Sequence, residues 1–234
     1  MRKFVLASAF TSTVAFTQDF KAFGGVWFGP TNYQEGGQAF NVGSFFLARV
    51  PLMGKLQGLH FGYAVSASTS VRVVSDSGID PVTGNFITVN AAGIGNHVPF
   101  EANAAYVIGF GRLRGWAGDG VNISLAQATA TFTVSDLSSG NTCSADATGQ
   151  TGFSQGFQIF GGGEYVFGSL PRIGGKWGIF FMAKYLYAGK FKMKITGEVQ
   201  CVDSTGTAVS QRMDESIDLN LSNTSFVAGL TYHF

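Results

Sequence analysis

The chain has 234 residues, 45% of them hydrophobic, yet only 12% are charged and the formal net charge is +1. A globular average is about 25% charged, so the sequence is poorly stocked for a surface facing water on all sides. Nothing in the charge or in any basic run points to nucleic acid. Mean hydropathy is +0.20, and no run of about 18 apolar residues occurs, which excludes spanning helices. Gly is present 33 times and Phe 23 times, a composition that suits a sheet with a greasy outside and a crowded inside.

In chain order, Arg2 and Lys3 precede an apolar stretch from Phe4 to Phe16 diluted only by Ser and Thr. A basic start, an apolar middle and small residues after it describe a secretory signal over 1–17. Cleavage after Ala15 or after Thr17 fits, leaving 18–234 as one domain. Apolar alternation of period two then recurs between Gly-rich or polar breaks, the mark of strands. The first strand is expected over Phe20 to Gly29, stopped by Gly29-Pro30, with aromatics on both faces. The second, about Gln38 to Val50, sets Phe40, Val42, Phe46, Ala48 and Val50 against Asn41, Gly43 and Arg49. The third sets Leu59, Phe61, Tyr63, Val65, Val71 and Val73 against His60, Ser66, Ser68 and Arg72. Residues 75–96 read as a long loop, with a small hairpin at Phe86 to Val89 as a variant.

The fourth strand sets Phe100, Tyr106, Ile108 and Phe110 against Glu101 and Asn103. The fifth, Val121 to Val134, switches its apolar face midway, which calls for a bulge or an extension beyond a membrane. The sixth places Phe153, Phe157, Ile159, Tyr165 and Phe167 opposite Gln158, Gly162 and Glu164. The seventh places Trp177, Ile179, Phe181, Ala183, Tyr185 and Tyr187 opposite Met182 and Lys184, and continues through Phe191, Met193 and Ile195. From Trp177 to Tyr187 such a strand runs about 33 Å, which at a tilt of about 40° covers roughly 25 Å, the apolar height of a membrane barrel. Trp177, Tyr185 and Tyr187 stand where an aromatic girdle is needed. The breaks at 53–58, 116–120 and 169–176 are short; those at 75–96, 136–152 and 201–215 are long. Eight strands result, or ten if the 75–96 hairpin reaches the membrane.

The last strand, Ser216 to Phe234, ends on FVAGLTYHF, with Phe226, Ala228, Leu230, Tyr232 and Phe234 alternating against Val227, Gly229, Thr231 and His233. This ending resembles the C-terminal signal strand of bacterial outer-membrane β-barrels, which implies that Phe226, Leu230, Tyr232 and Phe234 address the barrel-assembly machinery. The chain as a whole is similar to the small barrels typified by the transmembrane domain of outer membrane protein A, the OmpX group and opacity-type surface proteins. The fold expected is all-β, a transmembrane antiparallel up-and-down barrel with short periplasmic turns and long outer loops. The resemblance implies a structural or adhesion role at the bacterial outer membrane, with lipid around the barrel and an extracellular ligand or surface protein at its loops. A narrow channel for small solutes is the alternative.

An eight-stranded barrel is filled by its own side chains. The inward positions carry Arg49, Arg72 and Lys184 with Glu101 and Glu164, expected to form a polar network that plugs the lumen. Lys190, Lys192 and Lys194 continue the inward face above the membrane. Cys143 and Cys201 fall in outer loops rising from adjacent strands, so a disulfide is expected, worth about 4 kcal/mol in the chain-entropy model. No further Cys or His lies near either, which leaves no metal set, and no cofactor is indicated. The glycines of GFGRLRG at 109–115 lack dinucleotide spacing and are read as packing or turn glycines. Catalytic signatures such as GxSxG and HExxH are absent. His97 and Glu101 share the inward face near the outer rim, where a lipid-modifying site would stand, although a rim hydrogen bond accounts for them and no enzyme is expected.

Overall fold

The computed structural model describes residues 22–34, 37–49, 58–79, 84–136, 138–151, 153–168 and 175–234. The signal over 1–17 and most of the turns at 53–58 and 169–176 lie outside the described residues. Among the described residues there are eleven strands: β1 (Ala22–Tyr33), β2 (Gln38–Arg49), β3 (Leu59–Ile79), β4 (Phe86–Phe110), β5 (Leu113–Asp136), β6 (Thr142–Thr151), β7 (Ser154–Gly168), β8 (Lys176–Tyr187), β9 (Lys190–Val202), β10 (Ala208–Asn220) and β11 (Asn223–His233). All pairings are antiparallel. Eight strands close a ring in the order β1, β2, β3, β4, β5, β7, β8, β11, with β11 returning to β1 through Phe23↔His233 to Tyr33↔Asn223. The other three are upward continuations. β6 leads down into β7, β8 up into β9, and β10 down into β11.

The long connections expected between strands are hairpins rather than loops. β3 and β4 stay paired up to Ile79↔Phe86, and β9 and β10 up to Val202↔Ala208. β4 alone has 25 residues, about 80 Å of strand, far more than a membrane needs. No apolar alternation is required outside lipid, so Ser, Thr and Asn there read as loop. β5 runs without a bulge, in unbroken register with β4 from Ile87↔Asp136 to Phe110↔Leu113. Its switch of apolar face marks the extension. The short turn expected at 116–120 stands instead at 111–112, where Gly111 takes a φ of 65°, and Trp116 lies inside β5. Pro30 does not stop β1 but sits inside it. The β1–β11 register skips from Phe28↔Ala228 to Thr31↔Ser225, so the missing N–H costs no ladder bond on that side.

Around the ring the outward positions are apolar and exposed. Phe181 is 67% accessible, Leu230 50% and Tyr106 43%, and Val26, Phe28, Phe61, Phe100, Val121, Phe157 and Phe226 share that face. In water this belt would be costly, whereas in hydrocarbon it is the favoured exterior. Trp177 and Tyr232 touch at its lower edge, ring centroids 5.0 Å apart, and Tyr187 stacks on Phe157 at 5.1 Å near the upper.

Above the belt the pattern inverts in β5, β6 and β9. Gln127, Thr129, Thr131, Ser144, Asp146, Thr148, Lys192 and Lys194 face out and are exposed. Ala126, Ala147 and Met193 on the inner face are buried. The inward placement of Lys190, Lys192 and Lys194 is therefore corrected. Gly189, at a φ of 68° between β8 and β9, interrupts the strand there, and Met193 moves from the outside to the inside. Cys143 and Cys201 lie in strands, not loops, as register partners of β6 and β9, and are joined by a disulfide.

Candidate functional site

The interior of the ring is built in three levels. At the lower end Arg114 of β5 faces Glu164 of β7 across the register, and His233 of β11 stands between them. Arg114 Nη1 donates to His233 Nδ1 at 2.7 Å, and His233 Nε2 lies 2.6 Å from Glu164 Oε1. The tautomer with its hydrogen on Nε2 satisfies both contacts. Thr231 Oγ1 also donates to Glu164 Oε1, and Phe23 stacks on the His233 ring at 5.2 Å. A carboxylate this deeply buried is held by its donors.

The middle level is aromatic, which the expected polar network did not include. Trp27, Trp116 and Phe180 are buried, with Phe45 and Phe160 packed against them. Two glycines make room for the rings. A Cβ on Gly43 would strike the Trp27 indole, and one on Gly229 would strike Phe180. Over this layer Lys184 Nζ sits 5.3 Å from the Trp27 ring centre and 2.6 Å from Glu101 Oε1, both side chains only 2% accessible. Gln158 Nε2 donates to Glu101 Oε2 at 3.2 Å and to Asn103 Oδ1 at 2.5 Å. The void left among these groups is about 20 Å³, room for about one water molecule.

At the upper level Tyr33 Oη lies 2.5 Å from Ser68 Oγ and 3.2 Å from His97 Nδ1. Above them the lumen widens into a cavity of about 550 Å³. His97 and Glu101 thus share a face but have different partners, tyrosine for one and lysine for the other. No group of three or more metal-binding side chains occurs among the described residues.

Of the five charges read as a lumen network, the structure brings only Glu101 and Lys184 together. Glu164 lies lower, with His233 and Arg114. Arg49 is half-buried at the lower end opposite His60. Arg72 is exposed in the extension opposite Gly93, bordering the upper cavity. Arg114, missed in the sequence, was hidden among the glycines of GFGRLRG; its even-numbered alternation with Trp116, Asn122 and Ser124 was the available signal. Phe226 and Leu230 are exposed on the outward face of β11 and Phe234 is exposed just past its end, with Tyr232 half-buried beside Trp177.

No family model and no curated protein matches the sequence. Among solved structures the chain is similar to Neisserial surface protein A, at 14% identity and a TM-score of 0.43, over 91% of this chain and 96% of that one. It is similar also to a major outer membrane protein from Thermus thermophilus, at 14% identity and a TM-score of 0.40, over 91% and 99%. The translocator domain of the autotransporter NalP from Neisseria meningitidis follows at 10% identity and a TM-score of 0.22, over 97% and 93%. A closed antiparallel ring of eight strands, apolar outside and with charged and aromatic side chains packed inside, is a β-barrel of the outer-membrane type.

Proposed function

We propose that the protein is a non-conducting surface barrel of a bacterial outer membrane, whose tall outer sheet meets extracellular partners. The observation that carries this is the contrast along the barrel axis. At mid-height the lumen closes on Trp27, Trp116, Phe180 and the Lys184–Glu101 pair, with a void of about 20 Å³. Above the membrane β3, β4, β5, β6, β9 and β10 continue as one sheet. Val71, Val73 and Ile79 are 67%, 74% and 71% accessible on it, apolar surface of the kind that marks an interaction site. The Cys143–Cys201 bond ties its middle strands. Phe226, Leu230, Tyr232 and Phe234 would serve as the signal to the assembly machinery, and lipid would surround the belt.

The barrel is not an enzyme on this reading, since Glu101 is committed to Lys184 and His97 to Tyr33. Activity on lipid A that disappears in His97→Ala would contradict that. For the main proposal the test is conductance of protein reconstituted in liposomes, with binding of the intact cell surface measured in parallel. Conductance at background, and surface binding lost when the 70–95 hairpin is shortened, are expected. A steady open-channel current would instead establish the narrow-channel alternative.

A further inference from the structure

The wall of the barrel is uneven in height. β1 and β2 end at Tyr33 and Gln38, while β3 climbs to Ile79 and β10 descends from Ala208. Among the described residues the upper halves of β3 and β10 pair with β4 and β9 respectively and not with each other. A gap therefore opens over the β1–β2 turn into the upper cavity of about 550 Å³, within the range of roughly 300–1,000 Å³ typical of small-molecule sites. The cavity lining is mixed: Ala126, Ala128, Met193, Leu219 and Leu221 supply apolar surface, and Arg72, Ser70, Gln38, Asn96 and Asn220 supply polar groups.

Two further observations select the occupant. Just below the gap, on the outside, Phe28 stacks on Phe40 at 6.3 Å and both are over half exposed. The opening therefore sits at the upper edge of the lipid belt, where the headgroups of the outer leaflet lie, and a membrane amphiphile can enter sideways. Among the described residues no ion pair engages Arg72, so the lining offers an uncommitted guanidinium, a donor fork matched to a carboxylate.

We propose that the upper lumen binds a long-chain fatty acid taken from the outer leaflet, its acyl chain against Ala128, Met193 and Leu219 and its carboxylate at Arg72. One chain suits the space; a two-chain phospholipid does not. The site is independent of whether the barrel also binds an extracellular partner.

The test uses the full barrel in phosphatidylcholine nanodiscs with palmitate carrying a mid-chain photoreactive diazirine. Cross-linked peptides are identified by mass spectrometry. Adducts at 126–128, 193 or 219–221, displaced by excess palmitate, are expected. Arg72→Glu, a change at an exposed position, should weaken competition by palmitate about tenfold, and Ala128→Trp should remove the adducts by filling the cavity. Heat-modifiable migration verifies that both variants are folded. Adducts confined to outward positions such as Phe181 and Leu230, unchanged in both variants, would overturn the proposal. So would equal labelling by the corresponding fatty alcohol, or stronger competition by a lysophospholipid than by palmitate.

Discussion

Lys184 on β8 and Glu101 on β4 meet inside the barrel, Nζ to Oε1 at 2.6 Å, with Gln158 donating to the second carboxylate oxygen. Each charge is tolerable there because of the other. Lys184→Met, which strands the carboxylate, should cost about 3–5 kcal/mol. The double change Lys184→Met with Glu101→Gln should recover much of that loss. Urea unfolding of the protein in lipid vesicles gives both values. Equal losses in the single and double variants would mean the pair contributes through shape rather than charge.

The glycines beneath the aromatic layer have a direct consequence. Because a Cβ on Gly43 meets the Trp27 indole and one on Gly229 meets the Phe180 ring, Gly43→Val should displace the indole and lose about 1–3 kcal/mol by overpacking. Gly37, whose Cβ would meet nothing within 4 Å, is the contrasting site for space, although its φ of 123° disfavours a side chain. Tryptophan emission should shift in Gly43→Val, and an unchanged spectrum would show that the ring has another resting place.

At the tip of the β5–β6 hairpin, outside the membrane, Asp136 accepts from Ser139 Oγ at 2.7 Å, Asn85 Nδ2 at 2.7 Å and Ser138 N at 2.8 Å. The Ser139 hydroxyl above all, with these other donors, lowers its pKa to about 2. A depressed carboxylate contributes stability above its unfolded value, lost as pH falls through the folded one. The contribution of Asp136 to the tip should therefore be complete above 3.8 and fade as pH falls from there through about 2, as hydrogen exchange at Ser138 and Ser139 would show. In Asp136→Asn the pH dependence should vanish.

The Cys143–Cys201 bond joins register partners that the ladder already holds together. Removing it with Cys143→Ser should therefore cost less than the about 4 kcal/mol of the chain-entropy estimate, and the barrel below should remain folded. Thermal unfolding of the variant measures the difference, and a thiol assay on unreduced wild type should find no reactive sulfur.

The lipid-facing half of this molecule was the readable half. Phe181, Tyr106 and Leu230 alternate with small or polar residues because one face meets hydrocarbon and the other does not, and that contrast is written in residue type. The interior was less legible. In β1 both faces are aromatic, so Trp27 could not be separated from Val26 by periodicity, and a polar interior was expected where rings fill the space. Above the membrane the alternation lost its meaning. The same parity that carries Phe181 outward carries Met193 inward, because Gly189 resets the strand, and this misplaced Lys190, Lys192 and Lys194. Among the candidate site residues, Glu101, Glu164 and Lys184 stand on the inward parity read from the sequence. Which of them touch was set by strand stagger, and that is not a local property of the chain.

Phe180 and Phe181 put the central claim to its most direct trial, since they are adjacent yet 1% and 67% accessible. Each is replaced by cysteine in turn, with the native disulfide intact, and labelled with a nitroxide in lipid vesicles. Relaxation by oxygen and by a water-soluble nickel complex is then compared. A label at 181 should collide freely with oxygen and hardly with nickel, and a label at 180 with neither. High nickel contact at 181 would mean that this face meets water, and the barrel would not be a membrane barrel.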